Sequence, residues 1–78
     1  MANITIYSTP TCVYCKMTKA YLDEKKVPYT DKDVTTDDAA REAMIQKSGQ
    51  LGVPVIDIDG TVIVGFDKDR ITELAGIK

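Results

Sequence analysis

Two apolar, β-branched runs, Val53-Pro54-Val55-Ile56-Asp57-Ile58 and Thr61-Val62-Ile63-Val64, flank the dipeptide Asp59-Gly60. Asp-Gly between such runs is a strong hairpin signal, because the two-residue turn that suits twisted strands needs positive φ at both central positions. The late part of the chain is therefore expected to hold two antiparallel strands. Everything upstream must fold so that this hairpin has a sheet to join.

Upstream, Asn3-Ile4-Thr5-Ile6-Tyr7 alternates β-branched and aromatic residues, and Ser8-Thr9-Pro10-Thr11 interrupts it with turn and cap chemistry. From about Cys12 to Lys26 there is no Gly or Pro, and Met17, Ala20, Tyr21 and Leu22 recur at helical spacings, which predicts a first helix. Pro28 closes that region. Tyr29 to Val34 reads as a short second strand, and its acidic content suits a sheet edge. Thr35-Thr36-Asp37-Asp38 supplies a cap for a second helix over Ala39 to Lys47, ended by Ser48-Gly49. After the hairpin Gly65 breaks the run, and Asp67 to Ala75 reads as a closing helix with Gly76 near its end. The order is βαβαββα. A right-handed crossover makes the first two strands parallel, and the hairpin completes a four-stranded mixed sheet of order 2-1-3-4 with helices on both faces. This α/β arrangement resembles that of the smallest thioredoxin-fold proteins.

The chain has 78 residues, enough for one domain spanning residues 1–78, and no repeat or low-complexity tract divides it. Met1 to Tyr7 lacks the basic and apolar regions of a secretory signal, and no stretch reaches the length needed to span a bilayer. A cytoplasmic location without membrane attachment is expected. A net charge of −2 argues against nucleic acid as a partner. The chain contains no His, which removes Ser-His and Cys-His catalysis and the commonest metal ligand.

Chemistry is then left chiefly to Cys12-Val13-Tyr14-Cys15. Two cysteines this close in sequence close too short a loop to stabilise a fold, and in a reducing compartment the pattern reads as redox chemistry. Cys12 stands where a loop meets a helix, near unpaired N–H groups and the positive end of the helix dipole, a placement that favours a thiolate. Cys12 is the expected nucleophile, and Cys15, almost one turn further on, the expected resolving thiol. The competing readings are a structural zinc site and a metal or iron-sulfur module. Two Cys without His cannot complete a four-ligand site in one chain, so either would need a dimer or borrowed thiols.

Tyr7 to Cys15 resembles the strand-to-active-site segment of the glutaredoxin family, and the likeness extends over nearly the whole chain. Val53-Pro54 is similar to that family's Val and cis-proline, Ser48-Gly49 to the turn ahead of it, and Gly65 with Asp69 to its late recognition loop. The resemblance implies a thiol-disulfide oxidoreductase in which Pro54 is cis and faces the cysteines and the Val53 backbone pairs with a peptide-like substrate. It implies substrate contacts from Thr11, Tyr14, Val53, Pro54, Gly65, Phe66 and Asp69, with no resident cofactor or metal. The implied partners are disulfide-containing proteins or glutathione mixed disulfides, with glutathione or thioredoxin reductase as reductant and the protein itself a monomer.

Several positions depart from glutathione-using members. Thr9 stands where a Lys is usual, Gly52 replaces a Thr, Gln50 stands where a basic residue is common, and Phe66 replaces a second Gly. A carboxylate-bearing tripeptide loses a charge partner and some shape fit there. Gly65-Phe66 with Asp69 also resembles the branch that takes electrons from thioredoxin reductase and serves ribonucleotide reductase, although the chain lacks that branch's Trp and Pro. Of the smaller features, Lys16 and Lys19 are expected to form a solvated helix face, with an influence on the thiolate as the alternative. Asp57 to Gly60 reads as a turn, Asp67 as a helix cap, and Phe66 as either core or partner contact.

Overall fold

The computed structural model describes residues 3–50 and 54–77. Seven elements follow in the expected order: β1 (Ile4–Ser8), α1 (Val13–Glu24), β2 (Thr30–Asp33), α2 (Asp38–Ser48), β3 (Val55–Ile58), β4 (Thr61–Val64) and α3 (Lys68–Ala75). They build a four-stranded sheet of order β2-β1-β3-β4. β1 runs parallel to β2, with Thr5 opposite Thr30 and Ser8 opposite Asp33. β3 lies antiparallel to both β1 and β4. The Asp59-Gly60 turn has positive φ at both residues, 51° and 92°, as the hairpin motif requires. The acidic strand β2 lies at one edge of the sheet.

Strand alternation sorts the core into two layers. Ile4 and Ile6 of β1, Ile56 and Ile58 of β3 and Ile63 of β4 pack with Tyr21 and Leu22 of α1 and Ile71 of α3. Tyr7 and Val55 point the other way and meet Val34, with Ala40 and Met44 of α2. α1 and α3 therefore cover one face and α2 the other. Lys47 of α2 also reaches down to Asp57 of β3 at 2.5 Å, with its ammonium 5.7 Å from the centre of the Tyr7 ring.

Two details differ from the expected pattern. On α1 the buried stripe runs through Cys15, Thr18, Tyr21 and Leu22, whereas Met17 and Ala20 face solvent. Thr18 can be fully buried because its hydroxyl donates to the Tyr14 carbonyl at 2.9 Å, so no polar atom is left unpaired. The same helix stops at Glu24 rather than Lys26. There Lys26 takes the left-handed conformation at φ 58°, its N–H donating to the Asp23 carbonyl and the Val27 N–H to that of Leu22. This is the paired-bond helix ending usually built on glycine, and α3 ends the same way on Gly76. Val27, packed against the core that holds Leu22, supplies the apolar contact that accompanies such an ending.

Candidate active site

The turn from β1 into α1 assembles the thiol site. Cys12 has extended backbone geometry (φ −81°, ψ 115°), which makes it the residue that caps α1. Its carbonyl accepts the Lys16 N–H at 3.2 Å, while its own N–H turns back to the Thr9 carbonyl at 3.3 Å. Its Sγ accepts the Cys15 N–H at 3.1 Å. The first N–H groups of any helix lack partners within it, and a Ser, Thr, Asp or Asn oxygen commonly takes this one. Here a partly exposed sulfur does so, at the end of the helix that favours negative charge.

Cys15 has the opposite surroundings. It is completely buried at the first turn of α1. Burial, followed by its hydrogen bond with Cys12, pushes its thiol up to about 12, with the charge on Cys12 adding to the rise. The Thr9 backbone and the Lys19 ammonium oppose that rise. One sulfur thus belongs to a partly exposed residue beside a backbone donor, and the other is held as a thiol in the protein interior.

The other expected contact residues divide by position. Thr11 is exposed just before Cys12, and Tyr14, between the cysteines, is 61% exposed beside an equally open Val13. Pro54 is buried, and its carbonyl accepts the Gly65 N–H at 2.8 Å, which joins the start of β3 to the end of β4. Gly65 sits at φ 84°, and an added Cβ would meet nothing within 4 Å. Backbone conformation, not crowding, is what calls for glycine there. Val53 lies outside the described residues. Phe66 turns inward onto the core, its ring centre 6.2 Å from that of Tyr21 in an edge-on contact. Asp69 is exposed in the first turn of α3, and Asp67 caps that helix by accepting the Arg70 N–H.

One polar cluster was not legible as a unit. Ser8, buried at the end of β1, donates to Asp31 Oδ1 at 2.7 Å, and Lys19 Nζ donates to Asp31 Oδ2 at 3.0 Å. Lys19 is therefore anchored to β2, while Lys16 remains exposed. The sequence hint was the pair Ser8 and Asp31, but their contact depends on strand register. Among the described residues no three Cys, Asp or Glu side chains gather in a metal-binding group, and no helix is long and apolar enough to cross a membrane.

The chain is similar to known proteins in sequence and fold. The glutaredoxin family model matches residues 4–63. A glutaredoxin-like 8.6 kDa protein of the rubredoxin operon of Clostridium pasteurianum is 54% identical over 71 residues, covering 91% of this chain and 95% of that one. Glutaredoxin 3 of Escherichia coli is 43% identical over 67 residues, covering 86% and 81%. Among solved structures, the glutaredoxin-like NrdH-redoxin of Escherichia coli superposes with a TM-score of 0.82 at 29% identity, covering 92% of this chain and 93% of its own. With the fold, the element order and the family match in agreement, the chain belongs to the glutaredoxin family of thiol-disulfide oxidoreductases.

Proposed function

We propose that the protein is a dithiol reductase in which Cys12 attacks and Cys15 resolves. The observation that carries this reading is the asymmetry of the pair: an accessible sulfur at the helix cap, bonded to a backbone N–H, next to a fully buried thiol. In the first step the Cys12 thiolate attacks one sulfur of a substrate disulfide, and the other substrate sulfur leaves and takes up a proton. In the second step Cys15 loses its proton and attacks Cys12. The Cys12–Cys15 disulfide forms as the second substrate sulfur leaves, so two electrons pass to the substrate. Both sulfurs belong to one chain, so the cycle runs in a monomer and needs no metal.

Thr11, Tyr14, Val53, Pro54, Gly65 and Asp69 would contact the substrate. Phe66 would act from behind, by holding the segment after Gly65 against Tyr21. For recycling, Thr9 and Phe66 in place of glutathione-binding residues favour thioredoxin reductase. The NrdH-redoxin, described as glutaredoxin-like with a thioredoxin-like activity profile, is covered nearly end to end and supports the same reading. The identity to glutaredoxin 3 favours glutathione instead.

NADPH consumption by the oxidised protein decides between them. Turnover with thioredoxin reductase alone supports the first reductant, and turnover only with glutathione and glutathione reductase supports the second. Turnover undiminished in Cys12→Ser would contradict the dithiol mechanism itself.

A further inference from the structure

In the second step the proposed mechanism asks a buried thiol to become a nucleophile in a chain with no histidine to take its proton. The charged groups around this corner are few. Cys12 faces Cys15 from the loop, Lys19 follows it by one turn on α1, and Asp31 and Asp33 stand on β2. Lys16, the chain neighbour of Cys15, is exposed, whereas Lys19 is the cation paired with a carboxylate, and i to i+4 spacing puts it on the same side of the helix as Cys15. A free lysine side chain would spread over many rotamers. This one is tied to Asp31, which is tied in turn to buried Ser8 at the end of the strand that leads into the active-site loop.

We infer that Lys19, held by Asp31 and Ser8, is a positioning residue for the resolving step, its ammonium stabilising the Cys15 thiolate when Cys12 is bound to substrate. This inference rests on the roles given above to Cys12 and Cys15. The balance of influences on Cys15 supports the timing. Burial, the largest influence raising it, persists throughout, but two others that raise it, the hydrogen bond with Cys12 and the charge on Cys12, belong to a free Cys12 and end when that sulfur enters a mixed disulfide. The two that lower it, from the Thr9 backbone and Lys19, remain. Cys15 therefore becomes easier to deprotonate at the moment its attack is needed. It releases its proton through solvent, attacks Cys12 Sγ and breaks the bond to the substrate sulfur, which leaves as a thiolate and recovers a proton. Cys12 and Cys15 are oxidised by two electrons and the substrate disulfide has been reduced.

Rapid mixing of the reduced protein with a disulfide-linked model peptide, quenched in acid and read by mass, separates formation of the mixed disulfide from its resolution. In Lys19→Met, resolution at pH 7 is expected to slow by about tenfold and its pH profile to move up by about one unit, the equivalent of one lost charge interaction. Formation is expected to change by much less, and Lys19→Arg should restore most of the resolving rate. Equal slowing of both steps, an unmoved pH profile, or a Lys19→Arg protein as slow as Lys19→Met would overturn the inference. A parent protein that forms no mixed disulfide would overturn the reading of Cys12 and this inference with it.

Discussion

At the start of α3 the Asp67 carboxylate accepts the Arg70 N–H at 3.2 Å, and at the start of α1 the Cys12 sulfur accepts the Cys15 N–H at 3.1 Å. The positions correspond, since each capping side chain takes the N–H three residues on. α3 adds an acidic residue, Asp69, to its first turn, and α1 has none there. α2 follows α3, with Asp37 accepting the Ala40 N–H and Asp38 behind it. The positive end of a helix thus meets carboxylates in two of the three helices. In α1 it meets the Cys12 sulfur instead. In the proposed mechanism a local stabilising device becomes a reactive one: a strong cap is exchanged for a weaker acceptor that can form and break bonds.

The largest test of that contrast is to give α1 the start of α3. Cys12→Asp should abolish disulfide reduction in the coupled assay while raising stability by about 1 kcal/mol in urea unfolding, because a good capping oxygen replaces a poor one. A less stable Cys12→Asp protein would mean that the sulfur contributes packing as well as capping.

The next test uses pH. Cys15 in the folded protein keeps its proton to about 12, whereas its ordinary value is 9.0. Between those values the unfolded chain has released a proton that the folded one retains, so stability falls as pH rises. The contribution is intact below about pH 9.0 and is lost towards 12. The reduced protein should show a midpoint of thermal unfolding that declines over this range more steeply than that of Cys15→Ala. Matching slopes would show that burial does not hold the proton on Cys15.

Smaller effects are expected at the helix ends. Asp67→Ala removes the α3 cap and should cost about 1 kcal/mol, which for a domain of this size lowers Tm by roughly 4–8 °C. Lys26→Gly should have the opposite sign. Lysine pays for the left-handed conformation that Gly76 adopts freely at the end of α3, so the substitution should add somewhat less than about 1 kcal/mol. An unchanged or lower unfolding midpoint for Lys26→Gly would show that the Lys26 side chain makes a compensating contribution.

These ends also mark how far the sequence could be read. Asp59-Gly60, the two valine- and isoleucine-rich runs and the caps at Asp37 and Asp67 are local signals, and each was legible because its physics is settled within a few residues. The end of α1 was not, since a lysine in the left-handed region is chosen by the Leu22 and Val27 contact with the core rather than by local preference. Burial of Thr18 in place of Met17 likewise depends on a hydrogen bond back to Tyr14 that hydrophobic periodicity does not count. At the site, the Cys12 and Cys15 pair was readable from spacing. The Ser8, Asp31 and Lys19 chain was not, because it joins three elements through the parallel register of β1 and β2. The inward turn of Phe66 required knowing that Tyr21 lies beneath it.

The most direct measurement is the mass of the adduct formed when Cys15→Ser reacts with a disulfide-linked peptide, followed by mapping of the modified residue. A stable one-to-one mixed disulfide on Cys12 is the predicted result, with only slow release of the second peptide half. Rapid release of both halves from Cys15→Ser, or an adduct that forms just as fast on Cys15 in Cys12→Ser, would contradict the division of roles between the partly exposed and the buried cysteine.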